Sequence, residues 1–263
     1  MRNTIERQQE IVRLTQQLGK VSVRELAGRF LVSEVTIRSD LALLDQKKLL
    51  VRSRGWALVN SELLRELSRE LSLQEKGQFH SALKQQLGAA AARLIADGDR
   101  VILDSGTTTQ QVAAHLSGHK NLIVMTNGLN IASELAQHQQ LEVMLTGGLL
   151  RKTSMSFYGS TAEKSLLDYR FNKLILGVDG FDLDAGLTTH FEKEASLNRL
   201  MCAMANEIIV VTDSSKFNQK AFHVICACQH IHALVTDSGI APRDADALTK
   251  LGVQLHLIDK EQN

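Results

Sequence analysis

Seven short apolar runs recur from residue 101 onward, at 101–103, 122–125, 143–145, 174–178, 208–211, 233–235 and 253–257. Each is closed by a cluster of Gly, Ser, Thr, Asn or Asp, and helical patterns alternate with them, starting near Ala82, Thr108, Asn130, Thr161, Lys193 and Pro242. Runs of this length separated by helices specify a largely parallel sheet covered on both faces, an α/β body. In such sheets ligands bind beyond the carboxyl ends of the strands, so the residues that close the runs are the first candidates for a site.

Five of those ends are rich in hydrogen-bonding groups: Asp104, Ser105, Gly106, Thr107 and Thr108; Thr126 and Asn127; Gly147 and Gly148 after Thr146; Asp179 with Asp182; and Lys216 after Asp213. Glycine at 106 permits close backbone approach, and the hydroxyls and amides at a helix start can cradle a phosphate. Lys216 would add a point charge for an anion, and Asp179 and Asp182 would accept from sugar hydroxyls. Each cluster alone also has a plain reading as a helix cap or a turn; their convergence indicates a pocket.

The first 60 residues differ in charge and pattern. They carry 11 Lys and Arg against 6 Asp and Glu, a balance of +5 within a chain whose formal net charge is only +1. A small basic head on a mildly acidic body suggests a polyanion-binding module. Ile11, Leu14 and Leu18 follow Ile5 at helical spacing, with Gly19 as a stop. Ser22 and Glu25 form a capping box before Leu26, Ala27 and Phe30. Ser33 caps a third helix whose Ile37, Leu41 and Leu44 face inward, leaving Glu34, Thr36, Arg38 and Ser39 for a major groove. Residues 51–59 alternate around Gly55 as a hairpin, a wing that places Arg52 and Arg54 beside phosphates, with Trp56 either a packing anchor or a groove contact. This is a winged helix-turn-helix, residues 1–60.

Residues 61–81 place Leu64, Leu67 and Leu71 on one stripe among charges. They read as a helical linker that packs on its own body or pairs with a second subunit, with Gly77 as a break before the effector domain at 82–258.

Residues 32–41 (VSEVTIRSDL), Leu44 and the Arg-x-x-Gly turn resemble the N-terminal signature of the DeoR family of bacterial sugar-metabolism repressors. Ser39 stands where that family usually has a second basic residue, and Gly55-Trp56 where it has a glycine pair. The ordered clusters of the body, including Gly-Val-Asp-Gly (177–180) and Asp-Ser-Ser-Lys-Phe (213–217), are similar to the family's C-terminal effector domain, a parallel-sheet fold related to ribose-5-phosphate isomerase and CoA transferase. Residues 156–159, 189–199 and 212–218 are most similar to the branch controlling N-acetylgalactosamine and galactosamine use. The resemblance implies a repressor of an amino-sugar or hexitol operon, with operator DNA and a phosphorylated sugar as partners. Galactosamine-6-phosphate and N-acetylgalactosamine-6-phosphate are the candidate effectors, and the expected assembly is a homo-oligomer, dimer or tetramer.

The rival reading is a phosphosugar isomerase or CoA-transferase-type enzyme. Residues 179–182 resemble the acidic signature of the pentose-phosphate isomerases, but 185–190 lack the lysine that follows there. An enediolate needs a base and a group to stabilise the oxyanion, so loss of that cation points to binding without turnover. His223, Cys226, Cys228, His230 and His232 suggest a metal, yet positions two apart on a strand lie ~6–7 Å apart, too far for one tetrahedral zinc. No metal and no cofactor are expected. The N-terminus lacks the apolar segment of a secretory signal, no run approaches the ~20 apolar residues of a membrane span, and three Cys suit reduced thiols. A cytoplasmic protein without membrane association is expected.

Overall fold

The computed structural model describes residues 4–47, 49–53, 55–58 and 71–259. The chain divides after residue 70 into two compact units.

In the first unit, α1 (Thr4–Leu18) buries Ile11 and Leu14. Leu18 is exposed, contrary to the stripe read from the sequence, because it is the last helical residue and the chain reverses at Gly19 (φ +75°). The next segment, β1 (Lys20–Ser22), ends on the Ser22 hydroxyl, which accepts from the Glu25 amide at 3.1 Å, while the Glu25 carboxylate accepts from the Ser22 amide at 2.8 Å. That reciprocal cap starts α2 (Val23–Phe30), which stops where Leu31 turns left-handed. Ser33 caps α3 (Glu34–Gln46) through the Thr36 amide. The wing, β2 (Val51–Ser53) and β3 (Trp56–Leu58), pairs antiparallel, and β1 completes the sheet in the order β1-β3-β2. Ile11, Leu14, Val21, Leu26, Ile37 and Leu41 are among the residues that close the core, each worth roughly 1.5–3 kcal/mol when fully buried. Arg7 pairs with the buried Asp40 at 2.7 Å and ties α1 to α3.

The second unit opens with α4 (Leu73–Gln78), capped by Ser72 and Glu75, and α5 (Ser81–Ala92). Residues 71–81, read as linker from the sequence, therefore belong to this unit. Gly77 lies inside α4, and the break comes at Phe79 and left-handed His80. Then follow β4 (Arg100–Leu103), α6 (Thr107–Ala114), β5 (Ile123–Thr126), α7 (Leu129–Leu135), β6 (Glu142–Leu145), the hairpin β7 (Leu149–Arg151) and β8 (Ser156–Tyr158), and α8 (Ser160–Leu167). The remainder comprises β9 (Phe171–Leu176), β10 (Gly180–Asp182), β11 (Gly186–Thr189), α9 (Glu192–Met204), β12 (Ala205–Val211), β13 (His223–Cys226), β14 (Ala233–Asp237), α10 (Pro242–Lys250) and β15 (Gln254–Ile258).

Seven parallel strands form one sheet in the order β15-β14-β12-β9-β4-β5-β6. The seven apolar runs are these seven strands. Both faces are buried, with side chains alternating between two cores: Val101, Leu103, Ile175 and Ile209 pack with α5, α6 and α7, while Ile102, Leu174, Leu176 and Val210 pack with α8, α9 and the small sheet β10-β11-β13. Gly88 brings α5 against α6, since a Cβ there would lie 2.5 Å from the Gln111 backbone carbon. The chain winds outward from β4 in one direction and from β9 in the other, so the topological switch point falls between these central neighbours. Asp104 and Ser105 leave one of their carboxyl ends; Gly177 and Asp179 leave the other.

Candidate functional site

On the head, Glu34, Arg38, Ser39 and Arg52 are exposed. Arg38 bonds the Glu34 carboxylate at 2.8 Å across one helical turn, a solvent-exposed pair of small net worth that can yield to a phosphate or a base. The Ser33 and Thr36 hydroxyls meet at 2.9 Å and serve the helix start. The Arg52 amide donates to Asp45 and fixes the wing on α3; Arg54, Leu64 and Leu67 lie outside the described residues. Ala57 is the residue β3 buries, while Trp56 is 40% exposed with the Lys20 ammonium 5.3 Å from its ring. Sequence reasoning passed over Val35, an exposed apolar side chain on the same helix.

At the switch point of the body, the Ser105 amide donates to the Asn127 side-chain oxygen Oδ1 at 2.9 Å, bracing the turn that carries Gly106, Thr107 and Thr108 into α6. Thr126 and Asn127 are fully buried, and the Thr126 hydroxyl accepts from the Gly128 amide. Both shape the turn from within. Asp104 is also buried; burial first, then the charge of Glu194, hold its carboxyl well above the usual range, against hydrogen bonds from Ser105, Asn198 and Gly177. Glu194 in turn accepts from Arg151, Ser154 and Ser156.

Three lysines converge here from three segments. Lys76 of α4 bonds Asp179 at 2.7 Å, and Asp179 also accepts from the Thr189 hydroxyl at 2.9 Å. Burial would raise Asp179, but Lys76, His190 and Thr189 outweigh it and hold the carboxyl below its ordinary value. Lys84 of α5 is only 7% exposed and donates to the Lys76 carbonyl. Burial pushes its ammonium down; nearby Asp213 opposes this, and Lys216 and Lys76 add to it. A cavity of about 550 Å³ beside them is lined by Lys84, Thr107, Gln110, Asn130 and Lys152, among others. Ammoniums and helix-start amides beside a polar cavity are chemically suited to an anion.

The structure thus gathers Thr107, Asp179 and Lys216 of the sequence-derived set, with Asp104, Ser105 and Asn127 as internal braces. Two groups stand elsewhere. Gly147 and Gly148 (φ +64° and +109°) turn the chain from the edge strand β6 into β7. Asp182 accepts from the amides of Asp184 and Ala185 and pairs with Lys220, which commits it to the β10–β11 turn. Lys76, Lys84 and Glu194 were missed. Lys84 shares its stripe with Leu87, Gly88 and Ala91, and Glu194 with Leu197, Asn198 and Met201; a charge interrupting a buried stripe was the available signal. The Cys and His cluster is parted by a turn. The Cys226 thiol is lowered by a hydrogen bond from Cys202, Cys228 donates to the Asp182 carbonyl, and His232 accepts from the Ile208 amide.

A winged helix-turn-helix followed by a doubly wound α/β body is the architecture of a DNA-binding regulator with a sensor domain. The chain belongs to the DeoR family: residues 7–63 match the DeoR-like helix-turn-helix domain, and residues 79–238 match the DeoR C terminal sensor domain. It is a transcriptional regulator and not an enzyme. It is 44% identical to a putative aga operon transcriptional repressor of Escherichia coli O157:H7, over 97% of this chain and 94% of that one. It is 29% identical to the glycerol-3-phosphate regulon repressor of Escherichia coli K12, over 96% and 98%. Among solved structures, ribose 5-phosphate isomerase from Plasmodium falciparum overlaps 52% of each chain at 14% identity and a TM-score of 0.39. Among the described residues no helix is long and apolar enough to cross a membrane.

Proposed function

We propose that this protein represses a sugar-catabolic operon and is released from its operator by a phosphorylated amino sugar, galactosamine-6-phosphate or N-acetylgalactosamine-6-phosphate. The observation that carries the reading is the gathering of Lys76 and Lys216 about Lys84, which lines a cavity together with Thr107. Asp179 and Asp213 offset this positive charge only in part, and a dianion would neutralise the remainder. The effector's phosphate sits against the Ser105–Thr108 turn and the lysines, and its sugar reaches Asp179. The head, with Ser33, Glu34, Thr36, Arg38, Ser39, Arg52 and Arg54, holds one half-site, and a homo-oligomer supplies the second head about 34–36 Å away on the duplex. The protein acts in the cytoplasm, where the operon is transcribed.

Calorimetry tests the ligand class. Galactosamine-6-phosphate or N-acetylgalactosamine-6-phosphate should bind the full-length protein while the corresponding unphosphorylated sugar does not, and Lys216→Ala should weaken binding about tenfold or more, as expected for loss of a charged contact. Equal binding of the phosphorylated and unphosphorylated sugars, or of none, would sink the reading.

A further inference from the structure

The side of α3 turned away from the core is narrow and uncharged. Ile37, Leu41 and Leu44 point inward, and at about 100° per residue the opposite direction belongs to Val35, Ser39, Ala42 and Gln46, all of them exposed. Their spacing of four, three and four makes a second stripe, complementary to the buried one. The charged pair Glu34 and Arg38 lies to one side of it, and the Ser33 and Thr36 hydroxyls are joined at the helix start. A ridge of small side chains lets a helix approach the floor of a groove closely.

Val35 leads this ridge and is 72% exposed. A β-branched residue lowers helix propensity relative to alanine, and at this exposure it gains little packing within the head in return. The compensating contact comes from a partner. The surroundings select that partner: Arg38, Lys47 and Arg52 are exposed on the same unit, and residues 1–60 carry +5, so a second copy of the head would be repelled while a polyanion is attracted. On the major-groove edge of DNA the one apolar feature is the C5 methyl group of thymine. We propose that Val35 is a specificity-determining residue that reads one thymine methyl in each operator half-site, with Ser39 and Ala42 allowing the helix to sit deep enough for contact.

The test uses the full-length protein and an operator selected with it from a random duplex library. Each thymine is replaced singly by uracil, which removes the methyl and leaves every hydrogen-bonding group in place. One thymine per half-site should weaken binding about fourfold when replaced, the equivalent of about 0.8 kcal/mol for one buried methyl or methylene group. Val35→Ala, at an exposed position where folding is preserved and checked by circular dichroism, should bind the thymine and uracil duplexes equally. A scan with no sensitive thymine overturns the proposal, and so does a Val35→Ala protein that keeps the wild-type sensitivity.

Discussion

Lys76 and Asp179, 103 residues apart in the chain, meet at 2.7 Å and join α4 to the carboxyl end of β9. The pair fastens the first helix of the body to the switch point of its sheet. Both side chains are largely buried, so removing one partner strands the other. Lys76→Gln and Asp179→Asn should each destabilise the body by about 1–3 kcal/mol, the penalty for an unmade buried bond to a charged group. The double variant should lose less than the sum, by the coupling a double-mutant cycle reads. Because the Asp179 carboxyl is depressed in the folded state, its contribution is present above its unfolded value near 3.8 and is lost as pH falls through the folded value. Urea unfolding of the four proteins at pH 7 and pH 3 checks both statements; strict additivity would contradict them.

Lys84 gives a dependence of the same sign in the alkaline range, by relief of a penalty and not by loss of a bond. Burial and two neighbouring lysines lower its ammonium in the folded state, so the fold binds fewer protons there than the unfolded chain does, and stability improves as pH rises toward 10.5, the ordinary lysine value. Lys84→Met removes that titration. Measured by denaturant unfolding, the variant's stability relative to wild type should therefore fall between pH 7 and pH 10, and a difference constant across that range would contradict the assignment.

Gly88→Ala isolates the packing of α5 on α6. Alanine in a helix is ordinarily favoured over glycine by about 0.5–1 kcal/mol. Here the new methyl meets the Gln111 backbone carbon at 2.5 Å and its carbonyl oxygen at 2.7 Å, and backbone cannot rotate aside. The net change should be a loss of about 1–3 kcal/mol, as for overpacked cores, seen as a lower midpoint in thermal unfolding. A raised midpoint would show that the helices have room.

On the head, Arg38 and Arg52 should separate by the kind of contact each makes. Arg38→Ala should weaken specific binding by roughly 1–3 kcal/mol and relax preference at one base pair if the guanidinium leaves Glu34 for a guanine. Arg52→Ala should weaken all sequences alike and reduce the salt slope by about one unit. Fluorescence anisotropy against specific and random duplexes at several salt concentrations distinguishes them.

The large features were legible because they follow from apolar patterning. All seven strands of the parallel sheet match the continuous apolar runs that burial on both faces imposes, and the starts of α5 through α10 match the period of 3.6. The Ser22 and Ser33 caps were readable because capping is local chemistry. What escaped were three-residue strands such as β1, β7 and β8, too short to show alternation, and α4, hidden because Gly77 looked like a break. The candidate site was legible only in part. Strand-end clusters led to Thr107 and Lys216, but also to Asp182, whose carboxylate is spent on its own turn. Lys76 and Lys84 lie on helices and become neighbours of Asp179 and Lys216 only through tertiary folding.

The regulatory account is tested most directly by operator affinity measured with and without galactosamine-6-phosphate. A ligand that releases DNA must prefer the DNA-incompetent state, and a thousandfold fall in affinity corresponds to about 4 kcal/mol of coupling. The wild-type protein should lose its operator over the concentration range in which it binds the sugar phosphate, and Lys216→Ala should hold the operator at concentrations that release wild type. Operator affinity unmoved by saturating galactosamine-6-phosphate or N-acetylgalactosamine-6-phosphate, with the protein folded and bound to DNA, would contradict it.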